Sequence, residues 1–206
     1  PSCDCGKYVE IWNNVFMEFY KNEDGTYKKL SQKNVDTGLG LERMVMLLQG
    51  KETPYDTELF SPVMKKLQEL TNKDNIQSRR IIAEHLRSSM MIVSDGGRPS
   101  NIDRGYILRR LIRRMIRHLN KLEINLNEIS TLIDIYSETL GEMYPDLISK
   151  KDEIKNVILE EKDKFIKTIE KGQKELDKIL ERAKQENKTE LESKIVFNLY
   201  ETYGFP

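Results

Sequence analysis

Two periods divide the chain. Across residues 8–20, YVEIWNNVFMEFY, aromatic and β-branched residues crowd together, and Val9, Ile11, Val15, Met17 and Phe19 make every second position apolar. That alternation predicts a strand, with Asn13 interrupting its apolar face. Asn22-Glu23-Asp24-Gly25 carries turn chemistry, Gly25 being free to take φ > 0, and residues 27–30 predict a return strand that closes a hairpin. A further short strand is expected through Val35 and Asp36. Gly38 and Gly40 then bracket a tight bend, and residues 41–49 read as a helix with Gly50 as its C′ residue.

From about residue 56 the apolar period becomes 3.6. Leu59, Val63, Leu67 and Leu70 form one helical face, and Ile81, Ile82, His85, Leu86 and Ser89 form another. Residues 95–100, DGGRPS, are a loop by turn chemistry. Residues 106–119 and 127–140 predict amphipathic helices. Residues 150–184 predict a long charged helix striped by Ile154, Val157, Ile158, Phe165, Ile169, Leu176, Ile179 and Leu180, and a last helix is expected over 189–202. The fold class is therefore α+β: a β-rich piece over 1–52 and an all-helical remainder over 53–206, with no internal repeat.

Composition narrows the possibilities modestly. A chain of 206 residues, 38% hydrophobic and 33% charged, can bury a real core, and its formal net charge of zero predicts no partner. No stretch of 18 apolar residues and no leader pattern occurs, so no membrane partner is expected and the setting reads as cytoplasmic. Cys3 and Cys5 are too close to staple a fold and supply two of the four ligands of a zinc site; ordinary reduced thiols are the expected reading, and no metal site is assigned. Pro1 directly before a strand and Pro206 after an aromatic cluster read as the ends of a fragment.

Three features bear on chemistry. Asn13 admits two readings, an amide satisfied by neighbouring backbone or a ligand contact from the floor of a sheet. In V-D-T-G-L-G-L-E-R, residues 35–43, Gly38 and Gly40 remove side chains where a strand gives way to a helix whose positive end faces the same space. Arg43 offers a phosphate-matching fork and Asp36 a carboxylate for an ammonium group; the bland alternative is a capped turn with an exposed acid and a surface arginine. A dinucleotide fold is excluded because the flanking elements are hairpin strands and no third glycine follows. The third feature is the helix carrying Arg104, Arg109, Arg110, Arg113, Arg114 and Arg117, with no acid between the first and last of them and an opposite stripe of Leu108, Leu111, Ile112, Met115 and Ile116. A solvated face normally mixes signs, as 150–184 does, so an all-arginine face points to nucleic acid.

D-T-G-L-G-L-E-R resembles motif 3 of class II aminoacyl-tRNA synthetases, in the form found in alanyl-tRNA synthetases. E-I-W-N-N-V-F-M-E-F (10–19), A-E-H-L-R-S (83–88), R-P-S-N (98–101), R-G-Y-I-L-R-R-L-I-R-R (104–114) and L-Y-E-T-Y-G-F-P (199–206) are similar to that family in the same order. The resemblance implies the C-terminal part of a class II antiparallel sheet, then a mostly helical tRNA-recognition domain. It implies activation of alanine by ATP with Mg²⁺, then transfer to the 3′ end of tRNA(Ala). Asp36 and Arg43 would be catalytic; Ile11, Trp12, Asn13, Gly40 and Arg43 would border ATP; Asn13, Val15, Asp36 and Gly38 would hold alanine. A pocket for one methyl group separates alanine poorly from glycine and serine, which accounts for proofreading in such enzymes.

The same resemblance makes the acceptor stem the target of the arginine helix, with Asn101 reading a G·U pair from the wide minor groove. On the other side of that pair the family carries Asp before T-Y-G-F-P; Glu201 stands there in this chain, with the same charge and a longer reach. The long helix reads as scaffold between Asn101 and Glu201, and Tyr200, Tyr203 and Phe205 read as packing. Motifs 1 and 2 and a zinc-bearing editing domain would lie in the rest of the synthetase, so these 206 residues alone are not expected to form alanyl-adenylate. Rival readings are a free-standing RNA-binding module with a dead catalytic remnant and a basic helical protein unrelated to tRNA; the first is disfavoured by the intact Asn13, Asp36, Gly38, Gly40 and Arg43 set, the second by the motif 3 likeness.

Overall fold

A computed structural model describes Cys5 and residues 7–185, 190–191, 193–195 and 197. Cys3, Tyr200, Glu201, Tyr203, Phe205 and most of the helix expected over 189–202 lie outside the described residues. The chain divides into two compact units, Pro1–Ser61 and Pro62–Pro206.

The first unit is a two-stranded antiparallel ribbon followed by a helix. Strand β1 spans Trp12–Lys21 and β2 spans Tyr27–Leu39. Gly25, at φ +84, makes the reversal, and the Asp24 carboxylate caps it by accepting from the Thr26 amide at 2.9 Å and hydroxyl at 2.6 Å. Those bonds hold the Asp24 carboxyl below its ordinary range. The two short return strands expected at 27–30 and 35–36 are one strand. Between the pairs Met17↔Asn34 and Phe19↔Lys29 the ladder shifts register, and the extra β2 residues bulge without breaking the strand. β1 starts at Trp12 rather than at residue 8, although Ile11 still accepts a bond from the Gly40 amide at 2.9 Å.

Helix α1, Leu41–Leu48, ends as expected. Gly50 adopts φ +62, its amide bonds to Leu47 O, and Lys51 N reaches Met46 O, which together form a Schellman cap. The tight bend expected between Gly38 and Gly40 is absent. Gly38 is a strand residue, and Gly40 is the extended N-cap of α1 at φ −78. A 3₁₀ turn over Pro54–Asp56 follows, closed by mutual Thr53 and Asp56 bonds.

The second unit is helical: α2 (Ser61–Glu69), α3 (Ile76–Ser94), α4 (Asp103–Lys121), α5 (Glu128–Leu140), a short α6 (Asp146–Ser149) and α7 (Lys151–Gln185). Asn75 starts α3 earlier than its apolar face suggests, because its side chain accepts from the Ser78 amide at 2.9 Å. Ile82, Leu86 and Met90 of α3, Leu108, Ile112, Met115 and Ile116 of α4, Ile129, Leu132 and Ile133 of α5, and Ile154 and Ile158 of α7 are fully buried. Buried Tyr136 of α5 donates to Ala83 O at 2.9 Å, satisfying its hydroxyl inside the core. No described helix is long and apolar enough to cross a membrane. The α+β expectation holds, as a short antiparallel ribbon ahead of a helical body.

Both histidines lie against this core. Desolvation, then the Arg114 charge, lowers the pKa of His85 and of His118; Lys121 and Arg117 add to the effect at His118, while Glu84 opposes it at His85. His118 Nδ1 lies 3.0 Å from the Ser78 hydroxyl. Folded-state values below the unfolded one make the neutral rings stabilising above about pH 6.5, and that stability drains as pH falls toward the folded values. Melting temperature is accordingly expected to drop from about pH 7 to about pH 5.5, with His118→Gln flattening part of the drop. A melting temperature constant over that range would overturn this expectation.

Candidate functional site

The ribbon register sorts the candidate residues by face. Asn13 pairs with Gly38 and Val15 with Asp36, so these four share one side of the ladder. Ile11 continues that side through its carbonyl bond from Gly40. Trp12 pairs with Leu39, faces the other side, and donates its indole N–H to Thr37 Oγ1. A Cβ added to Gly38 would sit 3.4 Å from Asn13 Oδ1, so glycine keeps the space above the Asn13 amide open. Asn13 is exposed, and the desolvation cost expected of it does not arise.

Glu10, which the sequence reading did not single out, organises this corner. Its carboxylate accepts from Asn13 Nδ2 at 3.1 Å, and its main-chain carbonyl accepts from Arg43 Nη1 at 2.5 Å. Gly40 leaves room for the Arg43 stem, since a Cβ there would lie a tight 3.2 Å from Arg43 Cδ. One face thus presents a carboxylate, an amide, a gap and a small apolar wall, with an arginine tethered beside it. An ammonium, a methyl group and a phosphate are the groups such an arrangement can accept.

In the helical unit the six arginines of α4 divide. Arg104, Arg110, Arg114 and Arg117 are exposed and make no ion pair among the described residues. Arg109 and Arg113 turn toward α7, where Glu161 is 1% exposed. Arg113 Nε donates to Glu161 Oε1 at 2.7 Å, and its guanidinium carbon lies 5.0 Å from the Phe165 ring centre. Arg109 Nε is 3.3 Å from the same oxygen, an ion pair without hydrogen-bond alignment. The acid missing between Arg104 and Arg117 is therefore supplied from α7. Its signal was present in the sequence: Ile154, Ile158, Glu161 and Phe165 are spaced as one helical stripe, with a charge at a core position.

Asn101 is exposed in the loop before α4, and its Oδ1 accepts from Arg109 Nη1. Arg98 of the same loop pairs with Glu153 of α7 and donates to Gly97 O at 2.8 Å. Ser100 Oγ donates to Ile102 O at 2.8 Å, and Asp103 enters α4 at φ +48. Gly105 lets the loop lie directly on the first turn of α4: a Cβ there would lie 2.5 Å from Arg98 O and collide with Ser100 Oγ. Gly105→Ala is expected to destabilise the chain by about 1–3 kcal/mol and to displace the Asn101 loop, read as a lower melting temperature. An unchanged melting temperature would show that the loop does not depend on this close approach.

The family model described as tRNA synthetases class II (A) matches residues 1–206. An alanine–tRNA ligase of Petrotoga mobilis is 42% identical over 212 residues, covering 100% of this chain and 24% of the relative. The corresponding ligase of Borrelia hermsii is 41% identical over 213 residues, covering 100% and 35%, and that of Elusimicrobium minutum is 41% identical over 209 residues, covering 99% and 24%. The chain thus spans between a quarter and about a third of the length of the curated relatives it matches. With a family model matched along its whole length, the chain belongs to the class II (A) tRNA synthetases, and the relatives it aligns with end to end are alanine–tRNA ligases.

Proposed function

We propose that the protein carrying this chain ligates alanine to tRNA(Ala). Residues 1–52 supply the end of the catalytic domain and residues 53–206 grip the acceptor stem. The reading rests on the ladder register, in which Asp36 faces Val15 and Gly38 faces Asn13 on one side of the ribbon. Asp36 binds the α-amino group of alanine as an ion pair. Val15 bounds the methyl group, and the missing side chain of Gly38 leaves room for the substrate beside the Asn13 amide.

The alanine carboxylate attacks the α-phosphorus of ATP, forming alanyl-adenylate and expelling pyrophosphate. A terminal ribose hydroxyl of the tRNA then attacks the adenylate carbonyl and releases AMP. Neither step needs a protein nucleophile, so the chain contributes position and charge. Ile11, Asn13 and Gly40 border the nucleotide, and Arg43, held at Glu10 O, meets its phosphates; Trp12, turned to the other face of the ribbon, is left out of that set. Mg²⁺, the family's usual companion of ATP, would ride on the triphosphate. No group of three or more His, Cys, Asp or Glu side chains converges among the described residues.

In the helical unit Asn101 reads the G·U pair, and Arg104, Arg110, Arg114 and Arg117 meet the backbone phosphates. Glu201, outside the described residues, is proposed for the other side of the pair. An amide in the loop ahead of an exposed arginine face fits that division, since base contacts specify and phosphate contacts position.

In the full-length ligase, Asp36→Asn is expected to lower kcat/KM for alanine at least tenfold in alanine-dependent ATP–pyrophosphate exchange, with the melting temperature unchanged because the side chain is exposed. Unaltered exchange would remove Asp36 from the alanine site. In the same protein, Asn101→Ala should abolish preference for a G·U over a G·C acceptor hairpin, whereas Arg114→Ala should weaken both hairpins alike and reduce the salt slope by about one. Preference surviving Asn101→Ala would transfer base reading elsewhere.

A further inference from the structure

We propose that Arg109 and Glu161 position Asn101 and so set base-pair discrimination at the acceptor stem, rather than meeting phosphate themselves. The inference rests on the reading of Asn101 as the base-reading residue. It starts from a buried charge. Glu161 is 1% exposed in the core stripe of α7, and an ionised carboxylate at that depth requires cationic partners. Those partners are Arg113 at 2.7 Å and Arg109 at 3.3 Å. Arg113 is consumed by the bond, with its face on Phe165. Arg109 lies with its Nε toward Glu161, and its Nη1 donates to Asn101 Oδ1. A carboxylate in the core is thereby connected through one planar guanidinium to an exposed amide in the loop.

The connection has a chemical consequence. A free asparagine amide can turn either edge toward a base. With Oδ1 engaged by a permanent cation, rotation of the amide would bring its NH₂ group against that cation. Asn101 is therefore locked with its Nδ2 donors, and the one remaining Oδ1 lone pair, available to a base edge. α7 reinforces the lock at a second point. Glu153, eight residues and about 12 Å before Glu161 on the same helix, pairs with Arg98 of the loop. The exposed arginines of α4 have no such tie among the described residues, which sets Arg109 apart from Arg104, Arg110, Arg114 and Arg117.

The test uses the full-length ligase and two tRNA(Ala) transcripts, one with G·U and one with G·C at the recognised pair. Four variants are compared: Asn101→Ala, Arg109→Met, Glu161→Gln and the Arg109→Met/Asn101→Ala double. The readout is the ratio of kcat/KM for the two transcripts. Arg109→Met and Glu161→Gln are each expected to lower the ratio about tenfold, by admitting the G·C transcript as well as impairing the G·U one. The double variant should show no loss beyond Asn101→Ala alone, because Arg109 acts through Asn101.

An Arg109→Met that weakens both transcripts equally and reduces the salt slope by about one would make Arg109 a phosphate contact and overturn the proposal. Losses that multiply in the double variant would overturn it as well. If Asn101→Ala destroys discrimination while Arg109→Met preserves it, the base-reading role stands and the positioning role falls. If Asn101→Ala itself preserves discrimination, both fall. Should Glu161→Gln unfold, Arg109→Met decides the matter, since Glu161 keeps Arg113 as its partner.

Discussion

Glu161 lies in the stripe of α7 that builds the helical core, and a carboxylate there cannot remain unpaired without a cost of several kcal/mol. Pairing it fixes Arg109 and Arg113, and those two residues fix the face that α4 turns toward α7. Once that face is committed, Leu108, Ile112, Met115 and Ile116 fill the core, and Arg104, Arg110, Arg114 and Arg117 are left outside. The helix then carries two populations of arginine with opposite tasks. The inner pair neutralises a buried acid. The outer four form the positive surface available to a polyanion.

The loop before α4 depends on the same helix. Its conformation is held by Arg98 on Glu153, by Arg109 on Asn101, and by the close approach that Gly105 allows. For the base-reading role proposed for Asn101, an untethered loop would be a poor support, because each orientation of its amide would cost rotamer entropy on binding. Tying the loop to two acids of α7 meets that cost during folding. The ribbon of the first unit works in a different way. Its residues are mostly exposed, and what it supplies is register: a two-residue alternation that brings Asn13, Val15, Asp36 and Gly38 to one side and turns Trp12 to the other.

Element type was plainly written in the pattern of apolar positions, and the spans of α5 and α7 nearly so, whereas α4 starts three residues before and ends two after its expected 106–119, and α6 was not foreseen. α5 starts one residue later than expected and ends where expected, and α7 is displaced by one residue at each end. The ribbon was read less well. Nothing local announces that residues 27–39 form one strand across a bulge, since the bulge is defined by what lies opposite it on β1. The bend assigned to Gly38 and Gly40 failed for a related reason. Glycine permits a positive φ but does not require one, and here Gly38 serves the ladder and Gly40 the approach of Arg43. Glu10 was passed over because its bond to Arg43 runs through a main-chain carbonyl, which every residue possesses, and its carboxylate reaches Asn13 only once the backbone ahead of β1 is in place.

The α+β class, the helices and their apolar faces, the motif order that marks the family, and the side chains capable of meeting phosphate, ammonium or a base edge are all legible along the chain. These follow from local periodicity and residue chemistry, both of which act over a few positions. Tertiary structure alone decided which of those side chains remain available. Arg109 and Arg113 are indistinguishable from Arg110 and Arg114 along the chain, and only the arrival of Glu161, some fifty positions later, draws one pair inward and leaves the other exposed. The physical reason is that the energy of a charge is set by its surroundings, and for a buried carboxylate those surroundings are assembled from segments far apart in sequence.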